Sequence, residues 1–178
     1  MQIILISGKA QHGKSESAKL IKSKLEKQNN KVLITAYGNL VKFVCEKFFG
    51  GGYQKNDHNR SLWQYIGTDI IRKQFPNYWV DFVIEIVSMF PNEWDYVIID
   101  DCRFPNEFER WEEKNWDVVK LRVERLNFKS PLTPKQQKHI SETILDNYNF
   151  DYTIQSESGL GNLKKEVSRF IRWMEDNK

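Results

Sequence analysis

Apolar positions along the chain fall into two alternating periods. Gln2–Ser7 is branched and apolar almost throughout, the pattern of a short strand buried on both faces. Lys14 to about Gln28 then carries Ala18, Ile21 and Leu25 at three- and four-residue spacing with charges between them, which predicts a one-sided helix ended by Asn29-Asn30. Lys31–Thr35 predicts a second strand. Leu40–Phe49 predicts a helix with Leu40, Val44 and Phe48 on one face, broken by Gly50-Gly51-Gly52, with 50–57 a flexible loop. Arg60–Phe75 reads as a helix in which Gly67 is a tolerated weak point, and Pro76 separates it from a second helix over about 77–90. Tyr96–Asp100 and Val118–Val123 are strands, with a helix of about 105–114 between them that starts at Pro105, where the missing N–H costs little. Residues 126–140 have prolines, lysines and little periodicity, which predicts a mobile loop. Tyr152–Ile154 is a last strand, and Leu160–Met174 closes as an amphipathic helix with Leu163, Val167, Phe170, Ile171 and Met174 inward.

Strands alternating with helices imply parallel strands joined by right-handed crossovers, an α/β fold. Ligands in such sheets bind beyond the carboxyl ends of the strands. Candidate chemistry therefore follows Ser7, Thr35, Asp100, Val123 and Ile154.

Length and composition narrow the rest. At 178 residues the chain reads as a single domain with room for a small lid. The formal charge of +3 lacks the excess that a nucleic-acid binder needs, though a local phosphate pocket stays open. Cys45 and Cys102 stand apart without a Cys-x-x-Cys pair, so neither zinc nor a disulfide framework is expected, and a reducing compartment such as the cytoplasm fits. The apolar run Ile3–Ile6 is too short for a signal-peptide core or a membrane span.

Gly8-Lys9-Ala10-Gln11-His12-Gly13-Lys14-Ser15 matches G-x-x-x-x-G-K-[ST] between a strand and a helix, the context this phosphate-binding loop requires. Backbone N–H groups of the loop and the positive end of the helix suit phosphate oxygens. Lys14 would span the β- and γ-phosphates of ATP, and the Ser15 hydroxyl would ligate Mg²⁺. His12 reads as a permitted loop residue. Neither Asn-Lys-x-Asp nor Asp-x-x-Gly occurs, which argues against a GTPase switch, and Leu-Ser-Gly-Gly-Gln is absent as well. A small-molecule kinase remains. Asp100-Asp101-Cys102-Arg103 ends an apolar strand, where an acid can hold the Mg²⁺ shell and an arginine can fork onto phosphate. Arg60, Arg72, Arg122 and Arg125 are further candidates. Trp63, Tyr65, Tyr78 and Trp79 offer either a core face or a surface on which a base stacks, with Trp79 the leading candidate.

These residues resemble the bacteriophage-type deoxynucleoside monophosphate kinases. The resemblance lies in the phosphate loop, in Arg60-Ser-Leu-Trp-Gln-Tyr-Ile-Gly-Thr-Asp69 with Tyr78-Trp79-Val80 after it, in Asp101-Cys-Arg-Phe-Pro-Asn-Glu107, and in His139-Ile-Ser-Glu-Thr143. It implies a P-loop kinase fold: a five-stranded parallel sheet with helices on both faces, a helical acceptor-binding region over about 38–90 and a short lid over about 126–140. It implies ATP and Mg²⁺ as co-substrates and a deoxynucleoside 5′-monophosphate as acceptor, and it leaves room for a homodimer. Carried over by position, Gly8, Gln11, His12, Gly13, Lys14, Ser15, Glu16 and Arg125 bind ATP. Lys42, Arg60, Gln64, Trp79 and Arg103 bind the acceptor, and Asp101 joins Ser15 at the metal. Lys14, Asp101, Arg103 and Arg125 carry the transfer. His139–Glu142 reads as a lid hinge or as a helix cap made by Ser141. A kinase of the same fold with another phosphorylated acceptor, such as phosphomevalonate or a coenzyme precursor, is the alternative. A non-catalytic nucleotide switch is the third reading.

Overall fold

A computed structural model describes residues 1–54 and 56–177; Lys55, within the expected 50–57 loop, lies outside the described residues. Five parallel strands form the sheet: β1 (Gln2–Ser7), β2 (Val32–Thr35), β3 (Tyr96–Cys102), β4 (Asp117–Arg125) and β5 (Tyr152–Ser156), in the spatial order β2-β3-β1-β4-β5. The helices are α1 (Lys14–Glu26), α2 (Gly38–Phe49), α3 (Asp57–Gln64), α4 (Tyr78–Met89), α5 (Asn106–Glu113), α6 (Pro134–Gln137), α7 (Ile140–Thr143) and α8 (Leu160–Asp176), with a π-helical segment at Tyr65–Arg72.

Alternation in β1 divides the core. Ile4 and Ile6 pack with Ala18, Ile21 and Leu25 of α1 and with Leu163, Val167 and Phe170 of α8. Ile3 and Leu5 face the other way, onto Trp79, Val83 and Val87 of α4 and Phe108 and Trp111 of α5. Side chains on successive strand residues point to opposite faces, so a strand buried on both reads as a continuous apolar run.

Three sequence expectations change. Phe48 is 72% exposed, and α2 instead buries Cys45, with Leu40 and Val44 partly packed. The Arg60–Phe75 helix is not uniform: α3 gives way to the π segment at Tyr65. Gly67 is the reason for close packing there rather than a weak point, because a Cβ would meet Val41 Cγ1 at 3.0 Å. The 126–140 loop contains α6, opened by a reciprocal capping box in which Thr133 Oγ1 accepts the Gln136 N–H and Gln136 Oε1 accepts the Thr133 N–H.

Central β1 lies between β3 and β4, and its carboxyl end opens a crevice where the connections leave the sheet. The strand ends bring Ser7, Thr35, Cys102 and Arg125 to this edge.

Candidate active site

The loop Gly8–Ser15 joins β1 to α1. Gly8 has φ +146°, and a Cβ there would sit 2.2 Å from the Val123 carbonyl oxygen, so the position admits only glycine. No side chain caps α1, whose N-cap is Gly13 in a left-handed conformation. The first-turn N–H groups and the positive helix end are therefore available to an anion. Gln11, Gly13, Lys14, Ser15 and Glu16 all line one cleft of about 740 Å³.

Lys14 Nζ donates to the carbonyls of Gly8 (2.5 Å) and Lys9 (2.9 Å). Burial first, and then the Arg103 guanidinium, push its ammonium down to about 8. Between about 8 and the ordinary 10.5 the unfolded chain thus binds the extra proton, and the stability contributed by this group rises with pH through that window. Phosphates beside the ammonium reverse the shift. ATP binding at about pH 8 is expected to take up a proton, read by calorimetry in two buffers of different ionisation enthalpy. Buffer-independent heats would place the phosphates away from Lys14.

The end of β3 breaks register: Leu5 pairs with Ile99, but Ser7 pairs with Cys102, so one extra residue is inserted at Asp100-Asp101. Such a bulge re-aims side chains. Asp101 Oδ1 accepts the Tyr37 N–H at 2.9 Å and Oδ2 the Gly38 N–H at 2.8 Å. Burial raises its pKa, and the Gly38 N–H works against that rise. Asp101, expected at the metal, therefore fastens the start of α2. Asp100 lines the same cleft.

Beyond β3 the stretch Arg103-Phe-Pro-Asn-Glu107 forms a built turn. Glu107 is buried, and its Oε2 accepts the N–H groups of Arg103 and Phe104, at 2.5 and 3.1 Å. Its Oε1 pairs with Arg72, which also donates to Asn106 Oδ1 at 3.1 Å and lies 4.0 Å over the Phe104 ring. Asn106 in turn donates to the Pro76 carbonyl at 2.9 Å. The π segment and the turn after β3 are thereby locked together. Glu107 has no role legible in the sequence alone. The signal was a buried acid four residues after an arginine, legible only once the turn is closed.

Lys42, Arg60, Gln64, Thr68 and Arg72 line the same cleft as the phosphate loop. Lys42 Nζ lies 5.5 Å from the Trp63 ring centroid. Trp79 corrects an expectation: although it borders the cleft, it is only 2% exposed, belongs to the α4 core and donates its indole N–H to the Gly67 carbonyl at 2.9 Å. A ring so enclosed offers no free face for a base. Trp79→Phe should cost about 1–3 kcal/mol of stability, through the lost hydrogen bond and the carbonyl left behind, and leave the acceptor KM unchanged. A KM that rose without loss of stability would restore the stacking role.

Arg125 and His12 sit elsewhere. His12 Nδ1 accepts the Arg125 N–H at 3.1 Å, its ring meets Phe128 edge-on, and burial followed by Lys14 lowers its pKa. The Arg125 guanidinium lies 4.5 Å over Phe128 and donates to Ser158 Oγ at 3.1 Å. His12 is thus a stitch between the phosphate loop and the end of β4 with the segment that follows it. The 139–142 stretch is a helix cap, made by His139 rather than Ser141: its Nδ1 accepts the Ser141 N–H at 3.2 Å.

Comparisons with known proteins bear on the family and the fold. The family model described as deoxynucleotide monophosphate kinase matches residues 41–167. Uncharacterized protein ORF77 of Ictalurid herpesvirus 1 (strain Auburn) is 32% identical over 126 residues, 70% of this chain and 53% of that protein. The chain thus spans about half the length of the curated relative it matches. Among solved structures, a dephospho-CoA kinase from Campylobacter jejuni superposes with TM-score 0.58 at 11% identity, covering 100% of both chains. An APS kinase from Mycobacterium tuberculosis, in complex with AMPPNP and APS, gives 0.52 at 10% identity over 98% of this chain and 97% of that one. The fold is that of the P-loop kinases, and the chain belongs to the deoxynucleotide monophosphate kinase family.

Proposed function

We propose that the chain transfers the γ-phosphoryl group of ATP to the phosphate of a deoxynucleoside 5′-monophosphate. The observation that carries this reading is one cleft whose lining holds two sets of cations: Lys14 in the phosphate loop, and Lys42 and Arg60 outside it, with Arg103 tied through Glu142 to the loop. Two phosphorylated substrates, each bound to one set, would meet between them.

The chain's own work is positioning and charge. Lys14 and the N–H groups of the loop hold the β- and γ-phosphates, while Arg60 and Arg103 hold the acceptor phosphate in line. An ionised phosphate oxygen is already a nucleophile, so no side chain need remove a proton. Mg²⁺ would arrive on the nucleotide, since it keeps several waters and takes few protein ligands. Ser15 and Asp100, both on the cleft, are the residues to hold it, and when bound it neutralises charge on the β- and γ-oxygens. Arg125, beside Phe128 and Ser158 at the end of β4, is proposed for the ATP side because its backbone N–H donates to His12 of the phosphate loop.

These sides are separable. Arg60→Ala should raise the monophosphate KM at least about tenfold with ATP binding little changed, and Arg125→Ala should do the reverse. An exchange of the two effects would mean the sides are assigned backwards. The reading as a whole is tested by ADP release with a panel of acceptors: deoxy and ribo monophosphates of each base, phosphomevalonate, dephospho-CoA and APS. Turnover with a deoxynucleoside monophosphate supports it. Turnover confined to another acceptor overturns it in favour of a different kinase of this fold.

A further inference from the structure

Glu142 enters the site from α7 with a side chain only 8% exposed. Its Oε2 accepts the Ala10 N–H of the phosphate loop at 3.0 Å. Its Oε1 pairs with Nη1 of Arg103, which also donates to the Ser141 carbonyl at 3.4 Å. One carboxylate thus touches the donor's loop with one oxygen and the acceptor's arginine with the other.

The segment behind it is held firmly. Leu145 is buried in the core, Arg122 donates to its carbonyl at 2.8 Å, and Lys9 pairs with Asp146 at 3.1 Å. Glu142 is therefore anchored from its own side as well as from the site. Charge-assisted contacts of this kind are short and directional. A long arginine side chain without such a partner samples several rotamers, and an incoming phosphate must then bear the cost of ordering it.

We propose that Glu142 is a positioning residue that fixes Arg103 against the phosphate loop, so that the group receiving the acceptor phosphate stands at a set distance from the loop holding ATP. The inference rests on the acceptor-side reading of Arg103. In-line transfer is sensitive to such placement, since a shift of about 1 Å can cost on the order of a hundredfold in rate.

The test compares the full chain with Glu142→Gln, Glu142→Asp, Arg103→Ala and the double variant Glu142→Gln/Arg103→Ala. Kinetics use whichever phosphorylated acceptor of the panel turns over, and binding of a non-hydrolysable ATP analogue is measured separately as a check on folding. Glu142→Gln keeps the shape and loses the charge. Glu142→Asp keeps the charge but loses the reach to span both partners. Each should lower kcat/KM for the acceptor by about tenfold to a hundredfold. Affinity for the ATP analogue should stay within about twofold of the unmodified chain. The double variant should be no worse than Arg103→Ala alone, because Glu142 acts through that arginine. Additive losses, or an acceptor kcat/KM that neither single variant moves, overturn the proposal. So does tighter binding of the ATP analogue by Glu142→Gln with the acceptor unaffected, which would make the carboxylate a stand-in for a phosphate. An unmodified chain that phosphorylates some other acceptor but no monophosphate overturns the nucleotide reading alone, since the same cycle is then read on that acceptor.

Discussion

Lys14→Ala should lower phosphoryl transfer by about a hundredfold to a thousandfold or more while the chain stays folded. Preorganised charge aimed at a transferring group is worth about 2.7–4 kcal/mol in the transition state. Lys14 is placed for that work, lining the cleft at the start of α1 with its ammonium held between two loop carbonyls. Without nucleotide the same group is a burden. Its pKa of about 8, set first by burial and then by Arg103, corresponds to roughly 3 kcal/mol of unfavourable charge burial at neutral pH. Removing it relieves that cost and gives up the hydrogen bonds to Gly8 and Lys9, so the melting temperature should stay near that of the unmodified chain or rise. Kinetics and thermal unfolding on the same preparation separate the two. Near-normal turnover in a folded variant would remove the phosphate loop from the chemistry.

Glu107→Ala should be the most destabilising single change, at about 3–5 kcal/mol in a denaturant-unfolding experiment. The carboxylate is buried among Arg72 and the N–H groups of Arg103 and Phe104, so truncation strands a largely buried guanidinium and two amide donors at once. The loss should come with weaker acceptor binding, because the turn that carries Arg103 is the turn Glu107 closes. Glu107→Gln, which can still accept both N–H groups but turns an amide toward Arg72, should fall between. A loss under about 1 kcal/mol for the alanine variant would mean the turn is held by α5 and Pro105 alone.

What the chain announces in advance, and what it conceals, follows from the range of the forces involved. Gln2–Ser7 and the loop after it were legible because a strand buried on both faces is apolar throughout and a phosphate loop is a local pattern. The helices α1 and α8 likewise followed from the three- and four-residue spacing of Ala18, Ile21 and Leu25 and of Leu163, Val167 and Phe170. That Asp101 turns onto the Tyr37 and Gly38 N–H groups was hidden, because it follows a register slip against β1 that no period in β3 reveals. Trp79 and Phe48 exchanged places relative to expectation for a similar reason. The indole is enclosed by the π segment through the Gly67 carbonyl, whereas Phe48 is exposed on α2. His139–Glu142 reads in sequence as a hinge or a helix cap, and what the pattern hides is that Glu142, Leu145 and Asp146 dock on groups that lie far away in sequence.

Following the label from γ-³²P ATP is the plainest trial of the kinase reading. The full chain is incubated with Mg²⁺ and each deoxynucleoside monophosphate in turn, and the products are separated by chromatography. Label should appear in the β-position of a deoxynucleoside diphosphate, in amounts equal to the ADP formed, and should vanish with Lys14→Ala. Label found only in inorganic phosphate, at a rate that no monophosphate changes, would contradict transfer to a nucleotide acceptor.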